Sequence, residues 1–371
     1  MKILITGGAG FIGSHLADRY LEAGWGVRVM DSLQPRVHPS GIPKHIPKDV
    51  EFFKADVTSR GDWEKALEGV DYVSHQAAYQ DYVPDYGSFS YVNVFGTALL
   101  FEVIAARRFP VRRVVFASSQ AAYGEGQFTC SEHGLVLPRP RSPEQLARQQ
   151  WEVCCPKCGR KMAPALLDET YANPLSPYGT SKYAQEITAL KLAAQVEIPC
   201  VALRYSITQG PRQSLFNQYS GIARIFTTKL LRGEAPIAFE DGLAQRDYVH
   251  VQDVVEANWL VTNDPRASGQ VYNVGSGTPT TVVEYARGLA RKLGKSIDPQ
   301  VPGIFRIGDA RHSVSSIAKL RRLGWTPQRS LDTIMEDFLG WVETMGNLPD
   351  LASNAHDDLL RMKVLRMASG R

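Results

Sequence analysis

Short apolar runs alternate with longer amphipathic segments along the first 120 residues of the chain. The apolar runs have the length of buried strands, and the amphipathic segments carry apolar residues at helical spacing. The predicted strands are Lys2–Thr6, Gly26–Asp31, Val50–Asp56, Asp71–Ala77 and Arg113–Ser118. The predicted helices are Phe11–Ala23, Asp62–Glu68 and Val92–Arg108. This alternation indicates an α/β fold, a doubly wound parallel sheet with helices on both faces.

The alternation breaks between residues 126 and 170, where Pro, Arg and Cys accumulate without a clear apolar period. We interpret this stretch as an insertion. The α/β pattern resumes with a predicted helix at Tyr178–Ala194 and strands at Cys200–Tyr205 and Val271–Val274. The predicted organisation is a sheet core (1–125), the insertion (126–170), a return to the core (171–205), a smaller C-terminal region (206–345) and a tail (346–371). We expect the tail to be weakly structured or to form a terminal helix.

Composition and charge restrict the class of protein. The chain has 371 residues, of which 44% are hydrophobic and 22% charged, which excludes a disordered or collagen-like chain. The net charge of +4 comes from interspersed residues, so it gives no case for nucleic acid and at most favours an anionic small molecule. No run of 18 apolar residues predicts a membrane span, and Met1–Gly7 lacks the layout of a signal peptide, so we expect a cytoplasmic protein.

A glycine-rich loop follows the first predicted strand and leads into the first helix. Gly7, Gly10 and Gly13 have the spacing that allows a tight turn, close approach of the backbone to a pyrophosphate, and close packing of helix on sheet. The helix that begins with Phe11 and Ile12 offers free N–H groups and a partial positive charge to the phosphates. The strand, the glycine loop and the helix follow one another in the order of a Rossmann fold. They therefore predict the pyrophosphate site of a dinucleotide cofactor.

Acidic residues at the strand ends extend this cofactor site. Asp31 ends the second strand, where a carboxylate accepts from ribose hydroxyls and repels a 2′-phosphate, which favours NAD over NADP. Asp56, after the third strand, is assigned to the adenine amine, with an ordinary surface acid as the alternative. The remaining predicted cofactor contacts are Val57, Ala77, Ala78 and Asn93.

Three residues carry the predicted chemistry. Tyr178 and Lys182 lie four positions apart and therefore share one helix face. A neighbouring ammonium lowers the pKa of a phenol, so Tyr178 can act as a base near neutral pH and also contact the cofactor together with Lys182. Ser119 follows the fifth strand, at the carboxyl edge of the sheet where ligands bind in such folds.

The glycine loop and these three residues resemble the extended short-chain dehydrogenases/reductases, specifically their nucleotide-sugar epimerase/dehydratase family. The resemblance covers residues 1–345 apart from the insertion. Its motifs are Ser119–Gly124, Tyr178–Lys182, Gln245–Val254, Tyr272–Gly277 and Arg306–Asp309. Asp31–His38 and Tyr123–Gly126 are similar to segments of dTDP-L-rhamnose 4-epimerase-like proteins, and UDP-sugar 4-epimerases are the other similar type.

The resemblance implies a catalytic set of Ser119, Tyr178 and Lys182, a retained NAD, and a nucleotide-diphosphate sugar linked to dTDP, UDP or GDP. It also implies that Arg246 and Arg306 hold the diphosphate or the nucleotide ribose, since guanidinium groups suit phosphate oxygens. Exposed surface charges are the alternative for both arginines. The other predicted substrate contacts are Gln80, Ser119, Gln120, Asn217 and Asp309.

The residues after Ser119 bear on the reaction. Family members that eliminate water carry Asp-Glu there, whereas this chain has Gln120 and Ala121. We therefore expect epimerisation, at C4 through a transient 4-keto sugar. A nucleotide-sugar 4,6-dehydratase, a keto-sugar reductase and a non-catalytic NAD-sensing protein are the alternatives. Ser206 and Gln209 depart from the family pattern, and the unusual stretch Gln76–Tyr82 leaves the sugar open.

The insertion contains four of the five cysteines. Cys130 with His133, and Cys155 with Cys158, form two knuckles that together supply the ligands of a tetrahedral structural zinc site. Cys154 could replace Cys155, and free thiols or a redox pair are the alternatives to zinc. An odd number of cysteines in a cytoplasmic chain argues against a disulfide framework.

Two further expectations concern surfaces. The insertion lies between Ser119 and Tyr178, so we expect it to leave the sheet on the catalytic side and to cap the sugar pocket. The family resemblance implies a homodimer formed through Val92–Arg108 and Tyr183–Ala194 in a four-helix packing. The alternative is that both apolar faces simply cover the sheet.

Overall fold

A computed structural model describes the chain except for residues 82, 216–220, 347–351 and 369–371. The strands are β1 (Lys2–Thr6), β2 (Gly26–Asp31), β3 (Glu51–Lys54), β4 (Tyr72–His75), β5 (Arg113–Ser119), β6 (Phe128–Cys130), β7 (Gly134–Val136), β8 (Ala163–Pro164), β9 (Cys200–Tyr205), β10 (Ile207–Gln209), β11 (Gln245–Arg246), β12 (Tyr248–His250), β13 (Gln270–Val274), β14 (Thr280–Thr281), β15 (Ile304–Arg306), β16 (His312–Ser313) and β17 (Leu365–Met367). The α-helices are α1 (Phe11–Glu22), α2 (Arg60–Ala66), α3 (Tyr86–Ser90), α4 (Gly96–Arg107), α5 (Pro143–Ala147), α6 (Pro177–Gln195), α7 (Ile222–Leu231), α8 (Val251–Asn263), α9 (Val282–Lys292), α10 (Ala318–Arg321), α11 (Leu331–Thr344) and α12 (Ala352–Arg361).

A seven-stranded sheet organises the molecule. Its strand order is β13-β9-β5-β4-β1-β2-β3, and the paired strands all run parallel. On one face, α2, α4 and α6 bury a core that includes Trp63, Phe101 and Phe116. On the other face, α1 and α8 cover Ile3, Val29 and their neighbours. The predicted doubly wound Rossmann fold is confirmed, and the strand order reverses between β1 and β4, where such sheets bind ligands.

The predicted helix at 92–108 is longer in the structure. It begins at Tyr86, passes through a π-helical turn at Tyr91–Phe95 and ends at Arg107. By length and composition this helix could cross a membrane, but half of its most apolar stretch is buried inside the protein. It packs against α2 and α6, so we interpret it as a core helix.

The insertion folds as a small unit of its own. β6 pairs antiparallel with both β7 and β8, and α5 follows β7. Its core consists of Phe128, Val136, Val153 and Met162 together with buried cysteines.

The tail contains the terminal helix that was one of the two expectations, and it also contains a strand that the sequence pattern does not predict. It forms α12 and then β17, which pairs antiparallel with β15. Leu359 and Leu365 are buried against Ile304, and this contact fixes the end of the chain to the C-terminal region.

Candidate functional site

A cleft of about 1610 Å³ crosses the carboxyl ends of the parallel strands. One end is lined by the glycine loop after β1, and the other by β15 and the end of the chain. Ser119 and Tyr178 lie between these two ends. The cleft can therefore hold an extended dinucleotide and a second extended ligand that meet at these two hydroxyls.

The glycine loop has no room for side chains. Gly7 has φ +64°, and a Cβ there would lie 2.8 Å from the backbone nitrogen of Ala77. A Cβ on Gly13 would lie 2.3 Å from the carbonyl oxygen of Gly7. Helix α1 starts at Phe11 after an extended Gly10, which has no side chain to cap the helix. The first N–H groups of α1 thus face the cleft, as an anion site requires.

Asp31 is held at the end of β2. Its Oδ2 accepts a hydrogen bond from the backbone N–H of Ala9 at 3.0 Å, and its Oδ1 accepts from the N–H of Leu33 at 2.9 Å. Both bonds fix the carboxylate beside the glycine loop, within the cleft. The position and the charge fit the ribose hydroxyls of NAD.

The other predicted cofactor contacts divide into two groups. Asp56, Val57, Ala77 and Ala78 line the cleft next to Asp31. The carboxylate of Asp56 also accepts from the N–H of Thr58 at 2.9 Å, which fixes its orientation.

Asn93 is placed differently from the prediction, because it is fully buried and does not line the cleft. Its amide nitrogen donates to the carbonyl of Tyr79 at 3.0 Å and to Ser181 Oγ at 2.9 Å, and its oxygen accepts from the N–H of Tyr79. The amide is therefore used within the protein. Asn93 connects the loop after β4 to helix α6 through these hydrogen bonds.

The start of α6 sets the position of Tyr178. Ser176 caps the helix by accepting from the N–H of Gly179 at 3.0 Å. A Cβ on Gly179 would lie 2.4 Å from the carbonyl oxygen of Ala121, so the helix touches the turn that follows Ser119. Ser119 Oγ in turn accepts from the N–H of Ala121 at 3.1 Å. This close packing brings Tyr178 and Ser119 to the same part of the cleft.

Lys182 lies one helical turn after Tyr178 and is fully buried. Its Nζ donates to the Oε1 of Gln185, whose amide nitrogen donates to Thr97 Oγ1 at 2.8 Å. Burial lowers the pKa of Lys182 to about 7, although the nearby Glu186 carboxylate acts in the opposite direction. The ammonium that would stabilise a Tyr178 phenolate is therefore itself close to losing its proton at neutral pH.

A buried ion pair, which the sequence analysis did not identify, fastens α6 to the sheet. Arg204 at the end of β9 donates from Nη2 to Glu186 Oε1 at 2.6 Å and from Nε to Glu186 Oε2 at 3.0 Å. Ser118, next to Ser119, donates to the same carboxylate at 2.8 Å. The signal available in the sequence was a charged residue, Arg204, inside an apolar strand.

The two predicted substrate arginines both line the cleft. Arg306 forms a bidentate ion pair with the Asp309 carboxylate, with N···O distances of 2.8 and 2.9 Å. Arg246 donates to the carbonyl oxygen of Arg311 at 3.2 Å. Asp309 thus orients Arg306, and it also lines the cleft itself, so its direct contact with a substrate stays a prediction. The two guanidinium groups offer this end of the cleft the donors that suit a diphosphate, and the carboxylate of Asp309 offsets part of their charge.

Three predicted substrate contacts remain. Gln80 and Gln120 line the cleft, and Gln120 Oε1 accepts from the hydroxyl of Ser313 at 3.1 Å. Asn217 lies outside the described residues.

The residues that depart from the family pattern have internal partners. Gln76 Oε1 accepts from the Tyr205 hydroxyl at 3.1 Å. Ser206 donates to Asp247 Oδ2 at 3.0 Å, and Gln209 accepts from the Tyr285 hydroxyl at 2.8 Å.

The end of the chain contributes a wall of the cleft that was not predicted. Leu359, Met362, Lys363, Val364 and Leu365 line it. The pairing of β17 with β15 places this wall beside Arg306, because both strands belong to the same small sheet.

The Cys/His group of the insertion is assembled as predicted. The ligand atoms of Cys130, His133, Cys155 and Cys158 all lie within 4.8 Å of one another. The thiols of Cys130 and Cys155 each lie 3.5 Å from His133 Nδ1. Cys154 is exposed and points elsewhere, with its Sγ 3.9 Å from the carbonyl oxygen of Glu152. Three thiols and one imidazole at this spacing fit a tetrahedral zinc ion.

The expected cap over the sugar pocket is not formed by the insertion. None of residues 126–170, all of which the structure describes, lines the cleft. The insertion packs instead behind the cleft wall, where Trp151 contacts Phe305 with ring centroids 6.2 Å apart. The insertion therefore packs on the C-terminal region and does not lie over the opening of the cleft.

The fold and the cleft agree with known proteins. The chain matches the NAD dependent epimerase/dehydratase family over residues 3–275, and it belongs to that family. It is 33% identical to a dTDP-L-rhamnose 4-epimerase of Burkholderia thailandensis, over 92% of this chain and 94% of the relative. It is 30% identical to a putative UDP-glucose 4-epimerase of Methanocaldococcus jannaschii, over 92% of this chain and 98% of the relative.

Solved structures give the same result. The UDP-glucose 4-epimerase of Thermotoga maritima with UDP-glucose superposes with a TM-score of 0.76 and 29% identity, covering 94% of this chain and all of that chain. The UDP-glucose 4-epimerase of Thermus thermophilus in complex with NAD superposes with a TM-score of 0.73 and 30% identity, covering 92% of this chain and 99% of that chain.

Proposed function

We propose that this protein is an NAD-dependent epimerase that inverts C4 of a nucleotide-diphosphate sugar. The observation that carries the proposal is one continuous cleft that is lined by the glycine loop and Asp31, by Ser119 and Tyr178, and by Arg246 and Arg306. The related epimerases of dTDP-L-rhamnose and UDP-glucose support a dTDP- or UDP-linked sugar. A GDP-linked sugar is the third substrate to test.

The chain's residues divide the reaction between them. NAD, which the glycine loop and Asp31 would hold, would supply the hydride acceptor and donor for C4. Tyr178 takes the proton from the 4-hydroxyl as C4 is oxidised and gives it back after the keto sugar has turned over in the cleft. Ser119 donates a hydrogen bond to the sugar oxygen, and Lys182 favours the phenolate form of Tyr178 when protonated. Arg246 and Arg306 retain the diphosphate while the sugar rotates.

The alternatives within the family are less well supported. A 4,6-dehydratase needs further acid and base groups, and the cleft residues after Ser119 are Gln120 and Ala121. A reductase would release its cofactor at each turnover. A non-catalytic NAD sensor would bind NAD without needing Tyr178.

The test begins with mass spectrometry of ligands that co-purify with the native protein. A panel of dTDP-, UDP- and GDP-sugars is then assayed by NMR for inversion at C4. We expect one sugar pair to equilibrate without added NAD, and we expect Tyr178→Phe to lower kcat by at least about 100-fold while NAD stays bound. Net formation of a dehydrated or reduced sugar would assign one of the other reactions, and activity unaffected by Tyr178→Phe would reject the mechanism.

We also propose that Cys130, His133, Cys155 and Cys158 bind a structural zinc ion. Metal analysis of protein purified without chelators should give about one zinc ion per chain, because four protein ligands complete the tetrahedral coordination of one ion. A site with four protein ligands leaves no position for a substrate, so the ion would be structural. Cys155→Ser should lose the metal, whereas the neighbouring Cys154→Ser should retain it. Native protein with well under one metal ion per chain contradicts the proposal.

A homodimer is proposed for the assembly. Helices α4 and α6 pack together, and Phe95 and Ile187 beside this contact remain 44% and 45% exposed. Phe95 also stacks on Tyr91, with ring centroids 5.2 Å apart. A second copy of the chain would cover these apolar groups in the four-helix packing that the family resemblance implies.

A further inference from the structure

Two buried arginines connect the insertion to the substrate end of the cleft. Arg141 belongs to the insertion, and its side chain is 2% exposed. Arg311 follows the segment Arg306–Asp309, and its side chain is completely buried. Buried guanidinium groups are stable only when their donors are paired, so their partners report what these residues hold in place.

Arg141 holds the residue that orients Arg306. Its Nη2 donates to the main-chain oxygen of Asp309 at 2.7 Å, and its Nη1 donates to Glu240 Oε1 at 2.8 Å. Its Nε lies 3.2 Å from Glu125 Oε1. The carboxylate of Asp309 in turn accepts two hydrogen bonds from the guanidinium group of Arg306. One side chain of the insertion thus fixes the turn on which the predicted anion contact depends.

Arg311 makes the reverse connection, from the cleft wall to the insertion. Its Nη2 donates to Glu152 Oε1 of the insertion at 2.8 Å, and its Nη1 donates to Glu240 Oε2 at 3.0 Å. Both Nη atoms also donate to Asp241 at 2.7 Å. Glu240 accepts from both arginines and itself lines the cleft, so the two connections form one network.

The Cys/His group lies at the other side of this network. Glu152 precedes Val153, whose carbonyl accepts from the N–H of Met162 at 3.0 Å within the core of the insertion. Cys155 follows two residues later in the same core. A metal ion that joins both knuckles would therefore also fix the segment that carries Glu152.

We infer that the insertion positions the substrate arginine, with Arg141 and Arg311 as positioning residues and the Cys/His group as the anchor of the insertion. This inference rests on the proposed role of Arg306 in holding the diphosphate. A rigid insertion keeps Asp309 in place, and Asp309 keeps Arg306 aimed into the cleft. The insertion thereby sets the affinity for the nucleotide-diphosphate end of the substrate, without touching the substrate and without contributing to the NAD site.

The test measures binding of free dTDP and of free UDP to the NAD-containing protein by calorimetry, together with NAD content and melting temperature. Arg141→Lys keeps the charge but loses the planar fork, and Cys155→Ser removes one thiolate. We expect each to weaken nucleoside-diphosphate binding about tenfold, because a small displacement of a positioning group is costly. NAD content should stay at the native level, and Cys154→Ser should bind as the native protein does.

A second measurement uses the native sequence, so its result does not depend on whether the variants fold. Zinc is stripped from the native protein with a thiol-reactive mercurial and a chromogenic chelator, and is restored after reduction. Nucleoside-diphosphate affinity should fall on stripping and return with zinc. Unchanged affinity in folded Arg141→Lys and in the stripped protein overturns the inference. Because the ligand is a nucleoside diphosphate, this result is independent of whether any sugar is epimerised, so failure of the proposed reaction remains distinguishable.

Discussion

At the scale of single residues, Lys182 shows how burial and function oppose each other. A lysine beside Tyr178 is useful as a cation, yet its complete burial lowers its pKa from 10.5 to about 7. The folded protein therefore holds fewer protons at this site than the unfolded chain between these two pH values. The contribution of Lys182 to stability therefore rises with pH across this window, since it is the unfolded state that binds the extra proton.

This relation gives a prediction for Lys182→Met, in which the site no longer titrates. The free energy of unfolding of the native protein should rise between pH 7 and pH 10 by up to about 1.4 kcal/mol per pH unit relative to the variant. Denaturant unfolding of both proteins without added ligand, at several pH values, measures the difference. Parallel pH profiles for the two proteins would show that Lys182 is not held in the low-pKa state.

At the scale of elements, the glycine loop depends on backbone contacts that no rotamer change can relieve. Ala in place of Gly13 would put a Cβ 2.3 Å from the carbonyl oxygen of Gly7 and 2.7 Å from the Cα of Gly8. Because α1 must then move away from β1, we expect Gly13→Ala to lose most bound NAD, with at least about a tenfold weaker affinity. Gly61→Ala on α2, where nothing lies within 4 Å, is the control and should keep NAD. Equal NAD content in both variants would contradict the assigned pyrophosphate site.

Elements with a local signal could be predicted from the sequence, and elements that depend on distant partners could not. β1, β2 and α1 have apolar or amphipathic patterns of their own, and their predicted bounds agree with the structure to within one residue. β17 is short and is defined by its pairing with β15, about 60 residues earlier in the chain. No pattern within residues 346–371 contains that pairing, which explains why the sequence predicts a weakly structured tail or a terminal helix but not this strand.

The same distinction applies to the candidate site. The spacing of Tyr178 and Lys182 is a property of one helix, and the Cys-x-x-Cys and Cys-x-x-His knuckles are local turns. The contacts of Arg141 with Glu240 and Asp309 join residues that are 99 and 168 positions apart. Only the folded chain brings such pairs together, so the network and the position of the insertion behind the cleft could not be read from the sequence.

At the scale of the whole molecule, the proposed dimer predicts a change of mass. Light scattering should give about twice the chain mass of 41.1 kDa for the native protein. A charged group at the centre of an apolar contact is costly, so Ile187→Arg should shift the protein towards monomer. Ile42→Arg, at a residue 52% exposed in a loop before β3, is the control and should leave the mass unchanged. A native monomer contradicts the dimer.

The pairing of β17 with β15 also fixes the order in which the two halves of the cleft can be completed during synthesis. The glycine loop and Asp31 leave the ribosome well before Leu359–Leu365, which lie more than about 300 residues further along the chain. Until they do, the wall beside Arg306 is missing its last strand. A ribosome-bound nascent chain can therefore form the dinucleotide half of the cleft well before it can enclose a sugar nucleotide.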